Sequence, residues 1–143
     1  MIGLSSFSFS VVEETGQFTK VANIVSDSKT GLQWQDNNET NSTAYSWQEA
    51  IDHCEALTLD SLDDWRLPNI NELKTLIDRS KREPAIKENV FEYIGTNNYY
   101  SYWSSTSVVG FEYNAWVVLF NYGGVIGDLK DFNYYVRCVR DGQ

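Results

Sequence analysis

The chain has 143 residues and a formal net charge of −9; 42% of it is hydrophobic and 15% aromatic. That length suits one domain with a real core. The acidity argues against general binding to nucleic acid, heparin-like polyanions or anionic membranes, all of which favour basic patches, and no run of about 18 apolar residues is present to span a bilayer.

Residues 1–17 carry weak signals and are expected to form an arm or an edge strand ahead of a single domain over 18–143. The segment is apolar and Ser-rich but lacks the basic start and cleavage site of a signal peptide, so a secreted protein would have lost its signal before this point. Phe18 to Ser26 shows β-branched residues in partial alternation. Asp27-Ser28-Lys29-Thr30-Gly31 is a turn, with Gly31 able to take positive φ. Leu32 to Trp34 resumes as a strand, so a hairpin is predicted over Val21 to Trp34. Gln35 to Tyr45 is polar and Asn/Thr-rich, hence a loop.

Ser46 to Leu57 gives the clearest helix, with Ser46 and Glu49 as a capping box. Trp47, Ala50, Ile51, Cys54 and Leu57 line one face. An acidic link, Asp60 to Asp64, leads to the stretch that organises the chain. There Trp65 to Leu67 is extended, Pro68 blocks helix before it, Asn69 is an N-cap and Glu72 its capping-box partner. Ile70, Leu73, Leu76 and Ile77 make an apolar stripe, and Arg79, Lys81 and Arg82 follow where cations suit a helix C-terminus. Glu83 to Asn98 is irregular. The last third is β: Tyr102 to Thr106, Ala115 to Phe120 with burial on both faces, a turn at Asn121-Tyr122-Gly123-Gly124, a return from Val125, and Tyr134 to Arg140 in alternation. Trp65, Trp103 and Trp116 are assigned to the core.

Little in the sequence points to catalysis. Cys54 and Cys138 are the only cysteines. Two readings stand: a pair of buried thiols, or one disulfide closing a loop of roughly 84 residues and stabilising by about 3–5 kcal/mol. Secretion favours the disulfide and a cytosolic location the thiols. His53, the one histidine, adjoins Cys54, but consecutive helical side chains point apart, so it is read as a surface residue. There is no C-x-x-C, no zinc set, no nucleophile elbow, no phosphate loop and no dinucleotide fingerprint. Asp60, Asp63 and Asp64 offer oxygen ligands that would suit Ca²⁺, without EF-hand spacing, and Asp128 with Asp131 is a second acidic pair. A solvated acidic loop accounts for either, and no cofactor is implied.

The recognition chemistry lies in loops near the terminal strands. Asn97 to Asn114 and Asn121 to Tyr134 are rich in Tyr and Asn, which combine rigid contact area with adaptable hydrogen bonding. Tyr99, Tyr100, Tyr113, Asn114, Tyr122 and Tyr134 are the expected ligand contacts, although core cover explains part of the same set.

Several segments taken together resemble one family. They are D-S-K-T-G-L-Q-W from Asp27, Trp47 with Ala50 and Cys54, D-W-R-L-P-N-I-N-E-L from Asp64, Y-W-S-S-T from Tyr102, A-W-V-V-L-F from Ala115 and V-R-C-V-R from Val136. In this order they are similar to the family of the C-terminal domain of the Legionella collagen-like adhesin. The resemblance implies an α+β, C-type-lectin-like fold of the version shared with formylglycine-generating enzymes and with the variable receptor-binding proteins of diversity-generating retroelements. Two helices would flank small antiparallel sheets joined by long irregular loops, and a first-helix cysteine would meet a last-strand cysteine, which suits Cys54 and Cys138. The adhesin domain is associated with glycosaminoglycan binding and self-association. A charge of −9 departs from a polyanion binder, and collagen repeats are missing. Arg137 and Arg140 are expected in packing or ion pairs. The closely spaced catalytic cysteines of formylglycine-generating enzymes and the Glu-Pro-Asn or Gln-Pro-Asp motif of calcium-dependent lectins are also missing.

The expectation is therefore a secreted or cell-surface bacterial binding module without enzymatic activity. Its ligand would be a glycan or a protein, with no nucleic acid, no membrane insertion and room for a homo-oligomer. The alternatives are an enzyme of formylglycine-generating type with altered chemistry and a structural self-association domain.

Overall fold

A computed structural model describes residues 16–87, 89–95 and 100–142. The expected arm lies almost wholly outside them. The chain is α+β. A four-stranded sheet is ordered β1-β2-β3-β9, from β1 (Phe18–Val21), β2 (Ile24–Asp27), β3 (Leu32–Gln35) and β9 (Val139–Asp141). A five-stranded sheet is ordered β4-β8-β5-β6-β7, from β4 (Ala44–Tyr45), β5 (Ser101–Val108), β6 (Phe111–Leu119), β7 (Gly124–Leu129) and β8 (Tyr134–Tyr135). Pairing is antiparallel except between β5 and β8, where Tyr102 faces Tyr135 in parallel. Two α-helices stand among the described residues, α1 (Trp47–Ala56) and α2 (Ile70–Lys74).

The predicted first strand is two strands. A turn at Ala22, with φ of 54°, folds β1 onto β2. The predicted turn before β3 is present, with Gly31 at φ +80°. In α1 the Glu49 carboxylate accepts the Ser46 N–H at 3.1 Å, and Ala50 and Cys54 are fully buried. In α2 the Asn69 side chain accepts the Glu72 N–H at 2.8 Å while Glu72 accepts the Asn69 N–H at 3.0 Å. This helix is shorter than its apolar stripe predicts. It ends at Lys74, and Ile77 instead forms a β-bridge with Ile86. Arg79, Lys81 and Arg82 therefore do not sit at a helix C-terminus.

Two apolar clusters face opposite sides of the five-stranded sheet. Tyr102, Val118 and Phe120 join Phe18, Val25, Trp34 and Leu73 on one side. Trp103, Ala115 and Val117 join Ala50, Cys54, Trp65 and Val136 on the other. Alternation along β5 and β6 thus feeds both clusters, which explains why β6 is apolar at consecutive positions. Trp116 departs from its core assignment: it is half-buried, beside Gly127. Tyr134 to Arg140 is not one strand either. Its first two residues close one sheet, its end joins the other, and Val136, Arg137 and Cys138 carry the chain between them.

Candidate functional site

The side chains at one end of the five-stranded sheet stand out. The β5–β6 connection exposes Val109 (94%), Phe111 (66%) and Tyr113 (83%), and the neighbouring end of β7 exposes Leu129 and Phe132. They share one end because Val108 pairs with Phe111, Asn114 pairs with Leu129, and the Lys130 N–H donates to the Tyr113 carbonyl at 2.9 Å. Gly110, at φ +86°, supplies the backbone conformation that the tight connection needs.

This end is tied down from behind. Lys130 Nζ sits 3.9 Å from the centre of the Trp47 ring and donates to Ser107 Oγ at 2.8 Å. The Trp47 N–H donates to the Lys130 carbonyl at 3.0 Å, and its indole N–H donates to the Ser104 carbonyl at 2.9 Å. The first turn of α1 therefore anchors the base of the exposed aromatic group. Such preorganisation lowers the entropic cost of binding.

The five expected contact residues that are described do not converge. Tyr113 and Asn114 belong to this end. Tyr122 lies in the β6–β7 turn at the opposite end, its ring lying where a Cβ on Gly124 would fall. Residues 113–119 alone span roughly 20 Å of extended strand. Tyr100 is half-buried against the cluster that holds Phe18. Tyr134 packs edge-on to Trp103, with centroids 5.0 Å apart, and its hydroxyl donates to Asp128. Burial, with the Asp128 carboxylate second, pushes the Tyr134 phenol up to about 12. Tyr99, with Asn97 and Asn98, lies outside the described residues. Sequence reasoning passed over Leu129 and also Val109, whose signal was the Val109-Gly110 step between two alternating segments.

The acidic candidates are engaged within the chain. Asp60 begins a two-residue turn closed by reciprocal Leu59–Leu62 hydrogen bonds, and its carboxylate accepts the Asn23 N–H and side-chain amide. Asp64 pairs with Arg140 at 2.6 Å. Asp63 makes no cluster with them: among the described residues no three His, Cys, Asp or Glu side chains are grouped to hold a metal ion. Asp128 accepts the Leu129 N–H as well as the Tyr134 hydroxyl. His53 stacks on Tyr45 at 4.7 Å, with Nε2 3.7 Å from Glu39.

A buried ionic centre fixes the connection that precedes β5. Asp36 and Arg137 are both fully buried and pair at 2.9 Å. Asp36 also accepts Lys20 Nζ at 2.7 Å and the Glu92 and Tyr93 N–H groups at 2.9 and 3.0 Å. Arg137 donates to the Gln35 and Tyr93 carbonyls and lies over the rings of Phe91 and Tyr102. Burial works to raise the Asp36 carboxyl, but the Arg137 charge and the bonds from Glu92, Lys20 and Arg137 outweigh it and hold the group below the ordinary carboxylate range. Beside this centre, Cys54 and Cys138 are joined as a disulfide that ties α1 to the segment crossing between the sheets.

The model of the Lcl C-terminal domain family matches residues 23–140, from the turn before β2 into β9. The chain belongs to this family. All six sequence segments quoted above fall within the matched span, so the Lcl C-terminal domain accounts for both helices and for every strand except β1. No curated protein matches the chain. No helix among the described residues is long and apolar enough to cross a membrane.

Proposed function

We propose that this chain is a non-enzymatic, extracytoplasmic adhesin-like module that docks a protein surface on the β5–β6 end of its five-stranded sheet. Membership of the Lcl C-terminal domain family supports the adhesin-like part, and the disulfide fits an oxidising compartment. The scaffold is read as C-type-lectin-like: its final strand, β9, pairs with β3 near the start of the domain, and a helix cysteine meets one beside that strand.

The observation that carries the docking face is the grouping of Val109, Phe111, Tyr113, Leu129 and Phe132 as exposed side chains at one end of a sheet. Exposed apolar side chains gathered at one end of a sheet suit an interaction surface, and aromatic residues are enriched at the centres of protein interfaces. A combined array of bacterial and host surface proteins and glycans, probed with the domain and with F111A/Y113A, tests the reading. The parent should retain a protein partner that the double variant loses by at least about tenfold, since truncating interface anchors costs about 2 kcal/mol or more. Unchanged binding by the variant, or a parent that retains only glycans, would refute this assignment.

A further inference from the structure

Among the described residues, four strands bound the two sheets, and they differ in what covers their outer edges. Strand β9 is covered by Arg66, whose N–H and C=O exchange hydrogen bonds with Val139 at 2.8 Å. Strand β4 has two residues and β1 four. Strand β7 is the longest of the four, with six residues paired to β6 in unbroken register. It contains no Pro and no Lys, and no bulge twists it away. It therefore lacks the usual devices by which sheet edges avoid pairing.

The direction of its free groups follows from the bonding of β6. The Phe120 N–H donates to the Tyr100 carbonyl at 2.8 Å, and the Lys130 N–H to the Tyr113 carbonyl at 2.9 Å. Backbone groups alternate in direction along a strand, so Ala115, Val117 and Leu119 bond to β7, and their partners Asp128, Ile126 and Gly124 turn toward β6. Val125, Gly127 and Leu129 turn the other way. Leu129 is satisfied locally: its N–H donates to the Asp128 carboxylate at 2.9 Å, and its carbonyl accepts the Phe132 N–H at 3.0 Å. The N–H and C=O groups of Val125 and Gly127 have no such partner among the described residues. They recur at the two-residue spacing of a strand, about 7 Å, and another strand can answer them all.

The side chains beside this edge add a preference. Gly127 is exposed, and a Cβ there would lie 2.9 Å from Val108 Cγ2 and 3.8 Å from the Trp116 ring. The face over Gly127 is thus an apolar floor that a large side chain on a neighbouring strand can cover, as aromatic residues do opposite edge glycines. A second copy of this chain is a poor occupant, because pairing β7 with itself brings together two molecules of charge −9.

We infer that the outer edge of β7 takes an extended segment of a partner protein as a sixth strand, bonded to Val125 and Gly127 and placing a large apolar residue against Gly127. Main-chain bonds supply the affinity of such strand addition, and alternate side chains its specificity. This site is independent of the docking reading above, because Phe111 and Tyr113 belong to β6 and take no part in the edge.

The test starts from a random dodecapeptide library displayed on phage and selected on the disulfide-intact protein. The most enriched peptide is synthesised and titrated into isotopically labelled protein, where it should slow hydrogen exchange at the Val125 and Gly127 amides. Val125→Pro removes one outward N–H and none of the bonds to β6, and should weaken the peptide by at least about tenfold. Val125→Thr, which keeps that N–H, should bind within about threefold of the parent, and F111A/Y113A as the parent does. The inference is overturned if no peptide is enriched, or if Val125→Pro binds the peptide as the parent does. It is equally overturned if the peptide leaves both amides exchanging as before, as one held by the aromatic end and lost in F111A/Y113A would. Protection of both amides in the free protein also overturns it, whether by another part of the chain or, as sedimentation at rising concentration would show, by a second copy. The parent titration decides the matter even where a variant fails to fold.

Discussion

Replacing Asp36 by Ala probes the most consequential polar contact in the molecule. Among the described residues Asp36 is the sole carboxylate paired with Arg137, and both side chains are fully shielded from water. Removing it strands a guanidinium between Phe91 and Tyr102 and deprives the Glu92 and Tyr93 N–H groups of their acceptor. Breaking a buried pair from one side costs about 3–5 kcal/mol, a large share of the roughly 5–15 kcal/mol that holds a domain together. In urea, with a slope of about 2 kcal/mol per molar, the midpoint should fall by about 2 M. Adding Arg137→Met removes the stranded charge and keeps an apolar stem against the two rings, so the double variant should recover at least half of the loss. A single variant within about 0.5 M of the parent, or a double variant no better than the single one, would refute the reasoning.

The remaining predictions concern acid, oxidation state and capping. The Asp36 carboxyl is held below its ordinary value when folded, so its stabilisation is complete above the unfolded value and is lost as pH falls through the folded one. Melting temperature should thus be nearly flat from neutrality to about pH 5 and decline below about pH 4, with a shallower decline in Asp36→Asn; equal slopes would count against it. Reducing the Cys54–Cys138 bond, which spans 84 residues of sequence, should cost about 4–5 kcal/mol by loop entropy. Superimposable urea curves for oxidised protein and for protein with two titratable thiols would contradict that. Asn69→Ala removes the N-cap of a five-residue helix and should cost about 1 kcal/mol in chemical denaturation, and no measurable loss would show the cap to be redundant.

Much of the scaffold was legible where local chemistry decides. The capped starts of both helices, the Gly31 turn and the alternating strands all follow from residue type at short range. The length of α2 did not, because the stripe Ile70, Leu73, Leu76 and Ile77 is equally served by a short helix followed by a bridge from Ile77 to Ile86. Val136 to Arg140 alternates like one strand, yet tertiary packing gives its ends to different sheets. Asp36 gave no local signal of burial, since its partners lie some hundred positions away in Arg137 and more than fifty away in Glu92 and Tyr93. The expected contacts rest on residue type, and type carries no information about which end of β6 a tyrosine occupies. Tyr113 and Tyr122 are close in sequence and separated by the length of the strand.

The short crossing of Val136, Arg137 and Cys138 has a mechanical consequence. One span carries the chain from sheet to sheet, holds the buried cation and is stapled to α1, so it leaves no slack for a hinge. The tips of the molecule can then change their side chains without altering the frame that carries them, and exposed positions such as Val109 to Tyr113 can vary while the interior stays the same.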